Sequence, residues 1–77
     1  MNIQDLFLNQ LRKEKTIVVI EMLDGKKISG IIKGFDNFCI LLQTQPELVL
    51  VYKHALSKII PPKDFILKPG EKEYKKQ

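Results

Sequence analysis

Ile17-Val18-Val19-Ile20-Glu21-Met22-Leu23-Asp24-Gly25-Lys26-Lys27-Ile28-Ser29-Gly30-Ile31-Ile32-Lys33-Gly34-Phe35 decides the fold. Its first seven residues form an almost continuous β-branched and apolar run, interrupted only by Glu21, which reads as a strand. Asp24-Gly25 then gives a strong short hairpin signal, because both residues tolerate positive φ. The return strand, Lys26 to Phe35, carries glycines at 30 and 34. Glycine inside a strand marks a sharp bend or a close backbone approach. A bent strand is what a very small barrel requires.

Working outward, residues 2 to 14 read as a helix, with Ile3, Leu6, Phe7 and Leu11 forming an apolar stripe. Asn2 is placed to cap its start, with Asp5 three residues on. Asn9, Arg12 and Lys13 share another face, and the cations suit the negative end of the helix dipole. C-terminal to the hairpin, Phe38 to Leu42 reads as a third strand, Thr44-Gln45-Pro46-Glu47 as a turn, Leu48 to Tyr52 as a fourth strand and Ser57 to Ile60 as a fifth, stopped by Pro61-Pro62. The expected class is therefore mainly β: an N-terminal α-helix followed by a strongly bent, five-stranded antiparallel sheet. The first and last strands need not pair with each other. Residues 1–61 make one domain. Residues 62–77 form a basic tail in which Phe65, Ile66 and Leu67 have the chemistry to dock, with disorder expected from Gly70 onward.

Size turns the fold into an assembly. A 77-residue chain buries a small core, and such domains usually add a disulfide, a metal or a partner chain. A single cysteine, Cys39, excludes an intrachain disulfide, and one Cys with one His, His54, excludes a zinc site. Strands four and five are apolar and poorly protected as edges apart from Lys53 and Lys58. Pairing strand four of one copy with strand five of the next covers both and closes a ring when the rotation permits.

Charge and side-chain chemistry narrow the function. The net charge of +4 and a pI near 9.3 favour an anionic partner. No window is long and apolar enough to cross a membrane or to act as a signal peptide, and the lone cysteine suits a reducing cytoplasm. No carboxylate pair, nucleophile–base set or metal cluster is visible, so neither an enzyme nor a cofactor is expected. Two segments stand out: Phe35-Asp36-Asn37-Phe38 and Tyr52-Lys53-His54-Ala55. Each joins aromatic rings to hydrogen-bonding or basic groups where a strand meets a turn. That combination suits single-stranded nucleic acid, with rings for base stacking, amides and ammonium for base edges and cations for phosphate. The competing readings are burial of Phe38 in the core, a structural role for Tyr52, a tethering role for Asp36 and a small buried hydrophobe at Cys39.

These residues, in order, resemble the Hfq family of bacterial Sm-like RNA chaperones. The resemblance runs from Ile3 to Pro61 and rests on Gln4-Asp5-Leu6-Phe7-Leu8-Asn9, on Asp24-Gly25 with Gly30, on Phe35-Asp36-Asn37-Phe38, and on Tyr52-Lys53-His54-Ala55 with Ser57 and Pro61. It implies an Sm-like fold, six copies in the ring, and RNA binding on several surfaces. On the helix-bearing, proximal face it implies uridine-rich RNA held by Gln4, Asn37, Phe38, Lys53 and His54. At the rim it implies a basic arc of Asn9, Arg12, Lys13 and Lys15 that holds the body of a small RNA and promotes pairing with messenger RNA. Lys13 and Lys15 stand where relatives commonly carry arginine, and so lack its bidentate phosphate fork. On the opposite, distal face Gly25, Lys27, Ile28 and Ser29 keep part of an adenine-binding surface. Glu21, however, replaces a stacking aromatic with a carboxylate, which argues against adenine-rich RNA there. The alternative function is an Sm-like ring that serves mainly as a structural or protein-interaction scaffold.

Overall fold

The computed structural model describes residues 2–68. Helix α1 (Ile3–Glu14) precedes five strands: β1 (Ile17–Met22), β2 (Lys27–Phe35), β3 (Cys39–Gln43), β4 (Leu48–Tyr52) and β5 (Leu56–Ile60). A single 3-10 turn, Lys53–Ala55, joins β4 to β5. Asn2 caps the helix as expected, its side-chain oxygen accepting from the Asp5 amide at 2.8 Å. The helix ends on Lys15, whose φ of 52° is left-handed, a conformation that usually falls to glycine.

All five strands form one antiparallel sheet in the order β4-β3-β2-β1-β5. The first and last strands therefore do pair, Ile20 facing Ile59 and Glu21 facing Lys58. The open edges are β4 and β5, the two strands whose composition leaves them unprotected. On β4, Leu48, Leu50 and Tyr52 alternate with the inward-facing Val49 and Val51, and all three are about half exposed. Ile60 on β5 is exposed as well.

The core is Leu8 and Leu11 from the helix with Val18, Ile20, Ile32, Ile40, Leu42 and Val51 from the first four strands. Helix register differs from the expected stripe in one respect. Leu8 is buried, whereas Ile3, in the first turn, projects into solvent at 68% exposure. The helix lies on β2 and contributes only one inward edge to so small a sheet. Its first turn overhangs it.

Two backbone details position the surfaces discussed below. The β1–β2 hairpin closes through three residues. The Met22 amide donates to the Lys26 carbonyl at 2.8 Å and the Gly25 amide to the Met22 carbonyl at 2.9 Å. Within the loop only Gly25 takes positive φ, at 92°, so this is the three-residue loop with a left-handed glycine and not a two-residue turn. Asp24 contributes its carboxylate, accepting from the Lys26 amide at 3.0 Å. Strand β2 bends where expected, for two separate reasons. A side chain at Gly30 would meet the Gln43 carbonyl oxygen at 2.5 Å, so that position requires glycine. Next to Gly34 the register with β3 slips, Ile32 facing Leu42 and Gly34 facing Leu41, which leaves Lys33 as the extra residue of a β-bulge.

Beyond β5 the chain folds back on the helix. Phe65 meets Phe7 edge-on, with ring centroids 5.5 Å apart. The Gln10 side chain clamps the same segment, donating to the Ile66 carbonyl at 2.7 Å and accepting from the Lys68 amide at 2.8 Å. Docking of Phe65 agrees with its sequence; Ile66 is exposed. The expected disorder from Gly70 onward lies outside the described residues.

Candidate nucleic-acid interface

The turn between β2 and β3 is built around one carboxylate. Asp36 Oδ1 accepts from the backbone amides of Phe38 at 2.8 Å and Cys39 at 2.9 Å, and from the Cys39 thiol at 3.4 Å. These backbone hydrogen bonds, that from Phe38 first, hold the Asp36 pKa below the ordinary aspartate value. The Cys39 thiol is pushed the other way, by burial and then by Asp36, so it is a poor nucleophile and a local hydrogen-bond donor. Asp36 thus tethers backbone within its own turn. The tether presents Phe38, which is 75% exposed. Core burial of Phe38 is excluded, and its ring faces solvent beside the exposed Asn37.

The second segment meets the first directly. The Lys53 amide donates to the Phe38 carbonyl at 2.8 Å, so the end of β4 is fastened to the start of β3. The Lys53 ammonium donates to Gln4 Oε1 on the helix and lies 5.8 Å from the centre of the Phe35 ring. Gln4 and Lys53, together with Phe7, Leu8, Ile40, Leu56 and Ile59, line a cleft of about 240 Å³. Gln4 and the Phe38 backbone, from distant parts of the sequence, are therefore both tied to Lys53, with Asn37 next to Phe38 in its turn. The ammonium supplies charge and donors, Gln4 an amide, and Phe38 a free aromatic face.

His54 stands apart from that group. Its ring lies 5.9 Å from Tyr52, tilted by 34°. It lines a wider groove together with Met22, Leu23, Asp24, Lys26, Lys27, Ile28 and Ala55. The hairpin tip is held there because the Leu23 amide donates to the Ala55 carbonyl at 2.8 Å. Within one protomer His54 is thus nearer to Lys27 and Ile28 of the expected distal set than its assignment with Lys53 implies. Sequence adjacency hides this, because the 3-10 turn sends neighbouring side chains in different directions.

Of the expected distal residues, Gly25 sits at the hairpin tip, and Lys27 and Ser29 are exposed on one face of β2. Ile28 falls on the other face of the strand, half-buried against the core. Glu21 lies in a cross-strand row, facing Lys27 on β2 and Lys58 on β5. Its carboxylate is 4.0 Å from the Lys58 ammonium. At the end of the helix, Arg12 donates to Asn9 Oδ1 at 2.6 Å, which fixes the guanidinium. Arg12 and Lys15 line a cleft with Lys33, Gln43, Ile31 and Ile32. Lys13 is exposed and lies outside it. Lys33 does not stand out in the sequence; its one signal is the adjacent Gly34, a mark of strand irregularity. Among the described residues no group of His, Cys, Asp and Glu side chains is arranged to hold a metal ion, and no helix is long and apolar enough to cross a membrane.

Comparison with known proteins places this geometry. The profile of the Hfq protein family matches residues 3–66. Proteins named RNA-binding protein Hfq from Bacillus thuringiensis (strain Al Hakam) and Bacillus mycoides (strain KBAB4) are each 55% identical over 64 residues, which covers 83% of this chain and 86% of each relative. The fold is similar to the crystal structure of the pleiotropic translational regulator Hfq, with a TM-score of 0.75 and 34% identity over 77% of this chain and 98% of that one. An Hfq protein from Anabaena sp., 23% identical with a TM-score of 0.66 over 73% of this chain and 90% of its own, shares the fold. With a helix capped by Asn2, an Sm-like sheet and both aromatic–basic segments in place, this chain belongs to the Hfq family.

Proposed function

We propose that this protein is a cytoplasmic RNA chaperone that works without catalysis as a ring of six copies, binding small RNAs and messenger RNAs and promoting their pairing. Through that pairing it regulates translation and messenger stability. Uridine-rich single strands bind at Gln4, Asn37, Phe38 and Lys53, and His54 contributes from the adjoining groove. The observation that carries this reading is Phe38: a large aromatic ring 75% exposed, on backbone that the Asp36 turn holds and that is tied through its carbonyl to Lys53. Exposing such a ring costs burial energy of roughly 1.5–3 kcal/mol. A base stacked on it recovers roughly 1–3 kcal/mol.

Asn9, Arg12, Lys13 and Lys15 hold the body of the RNA at the rim, and the same cations screen repulsion between two strands. The Lys27–Glu21–Lys58 row disfavours adenine-rich RNA on the other face, since its centre is a carboxylate. Residues 1–61 supply all of these groups, with 62–77 as an appended tail. Size-exclusion chromatography with labelled oligo-uridine tests the function against a purely structural ring. Co-elution at the mass of a six-copy assembly is expected. A ring that leaves the oligonucleotide in the free fraction would instead favour the scaffold reading.

A further inference from the structure

The cleft at the end of the helix contains one residue that the basic arc does not include. Lys33 is the extra residue of the β-bulge in β2. Bulges interrupt the regular alternation of side chains and re-aim the one they carry. Here the bulged residue lines the same cleft as Arg12 and Lys15, together with Gln43 and the aliphatic Ile31 and Ile32, in a volume of about 190 Å³. No carboxylate lines it. Glu14, at the end of the helix, accepts from Gln10 at 3.0 Å and lines a different cleft, with Thr16, Pro62, Asp64, Phe65, Ile66 and Lys68. Among the described residues, none of the three cations forms an ion pair.

Three observations converge on this cleft. The Arg12 guanidinium is fixed by Asn9. Lys15 holds a left-handed backbone, φ 52°, at the point where the helix turns into β1. Lys33 comes from the sheet, at a bulge, and joins the two residues of the helix end in lining the cleft. Cations drawn from the helix end and from the sheet around one cleft match a polyanion that runs through it, because they neutralise the same phosphodiester backbone. Gln43 adds an amide capable of bonding a phosphate or sugar oxygen.

We propose that Lys33 completes, with Arg12, Lys15 and Gln43, a phosphodiester-binding cleft for the body of a bound RNA, beside which Lys13 adds its charge from the helix surface. The inference rests on the RNA-binding reading above and adds to it a sheet residue that the helix-end cluster lacks. Its test is a salt titration of the full chain, in its assembled form, with two probes: a stem-loop RNA ending in a uridine tract, and short oligo-uridine alone. For the stem-loop RNA, Lys33→Ala is expected to flatten the dependence of log affinity on log salt by roughly 0.7 to 0.9 for each phosphate that is no longer neutralised. Lys33→Glu is expected to weaken binding further, and Lys33→Arg to restore the parental slope. The loss of affinity is expected to be larger for the stem-loop RNA than for oligo-uridine. If Lys33→Ala and Lys33→Glu both bind the stem-loop RNA with the parental affinity and slope, the cleft is overturned while the proximal reading stands. If the parent binds neither probe, both readings fall.

Discussion

Two residues carry the sharpest consequences of this geometry. Glu21 stands between Lys27 and Lys58 in the cross-strand row, where the proposed adenine surface would need a ring. A 4.0 Å ion pair at a partly exposed site contributes little to stability, of order 0–1 kcal/mol, so the carboxylate is replaceable without loss of fold. Glu21→Tyr is expected to raise oligo-adenosine affinity at least tenfold, given roughly 1–3 kcal/mol per stacked base, and to leave oligo-uridine affinity nearly unchanged. Tight oligo-adenosine binding by the parent, lost in the variant, would instead show that the carboxylate itself reads adenine. Lys15 poses a different question. A non-glycine residue at φ 52° costs roughly 1–2 kcal/mol, and its side chain lines the cationic cleft. Lys15→Gly is expected to raise the denaturation midpoint, with a gain of roughly 1 kcal/mol per protomer, while weakening the binding of structured RNA. A variant that gains stability and binds structured RNA as the parent does would remove Lys15 from the interface.

At the scale of the element, the open edges matter most. Among the described residues β4 pairs only with β3 and β5 only with β1, so each leaves a row of backbone donors and acceptors unpaired there. Lysine on an edge strand opposes pairing with another chain. Leu50→Lys on β4 and Ile60→Lys on β5 alter exposed positions, and each is expected to give smaller species in solution with the circular dichroism of the parent. Full-sized rings from both would show that the assembly uses other surfaces. Most of this layer is legible in the sequence. Strand β4 spans the expected residues, and the others differ by a residue at their ends, because apolar alternation and the Asp24-Gly25 and Thr44–Glu47 turns fix them locally. The features that escape depend on tertiary context. Leu8 is buried where Ile3 was expected to be, because helix facing is set by packing on β2 and not by periodicity alone. The hairpin takes a three-residue loop because its closing pair is Met22 and Lys26, a register that Asp24-Gly25 alone does not dictate. The β1–β5 pairing is long-range and no local pattern encodes it, and the bulge at Lys33 is signalled only by the adjacent Gly34.

For the whole molecule, the sheet brings together groups that lie far apart in the chain. Gln4 from the helix, Phe38 from the β2–β3 turn and Lys53 from the end of β4 converge because two hydrogen bonds of Lys53, one from its backbone and one from its side chain, reach the other two residues. The two aromatic–basic segments are visible in the sequence as chemistry. Their meeting point, and the departure of His54 towards the hairpin, require the fold. Lys53 is therefore the residue whose loss most directly breaks the proposed uridine site, leaving Phe38 exposed and Gln4 without its partner. A hydrogen bond from a charged group is worth roughly 1.5–3 kcal/mol, which corresponds to a loss of about tenfold or more in affinity. The decisive measurement is a titration of short oligo-uridine against the parent, Lys53→Ala and Phe38→Ala, with the assembly mass recorded for each. Tight binding by the parent, at least tenfold weaker binding by either variant and an unchanged mass for all three is the expected result. Parental affinity in both variants, with their assemblies intact, would contradict the assignment of this face to RNA.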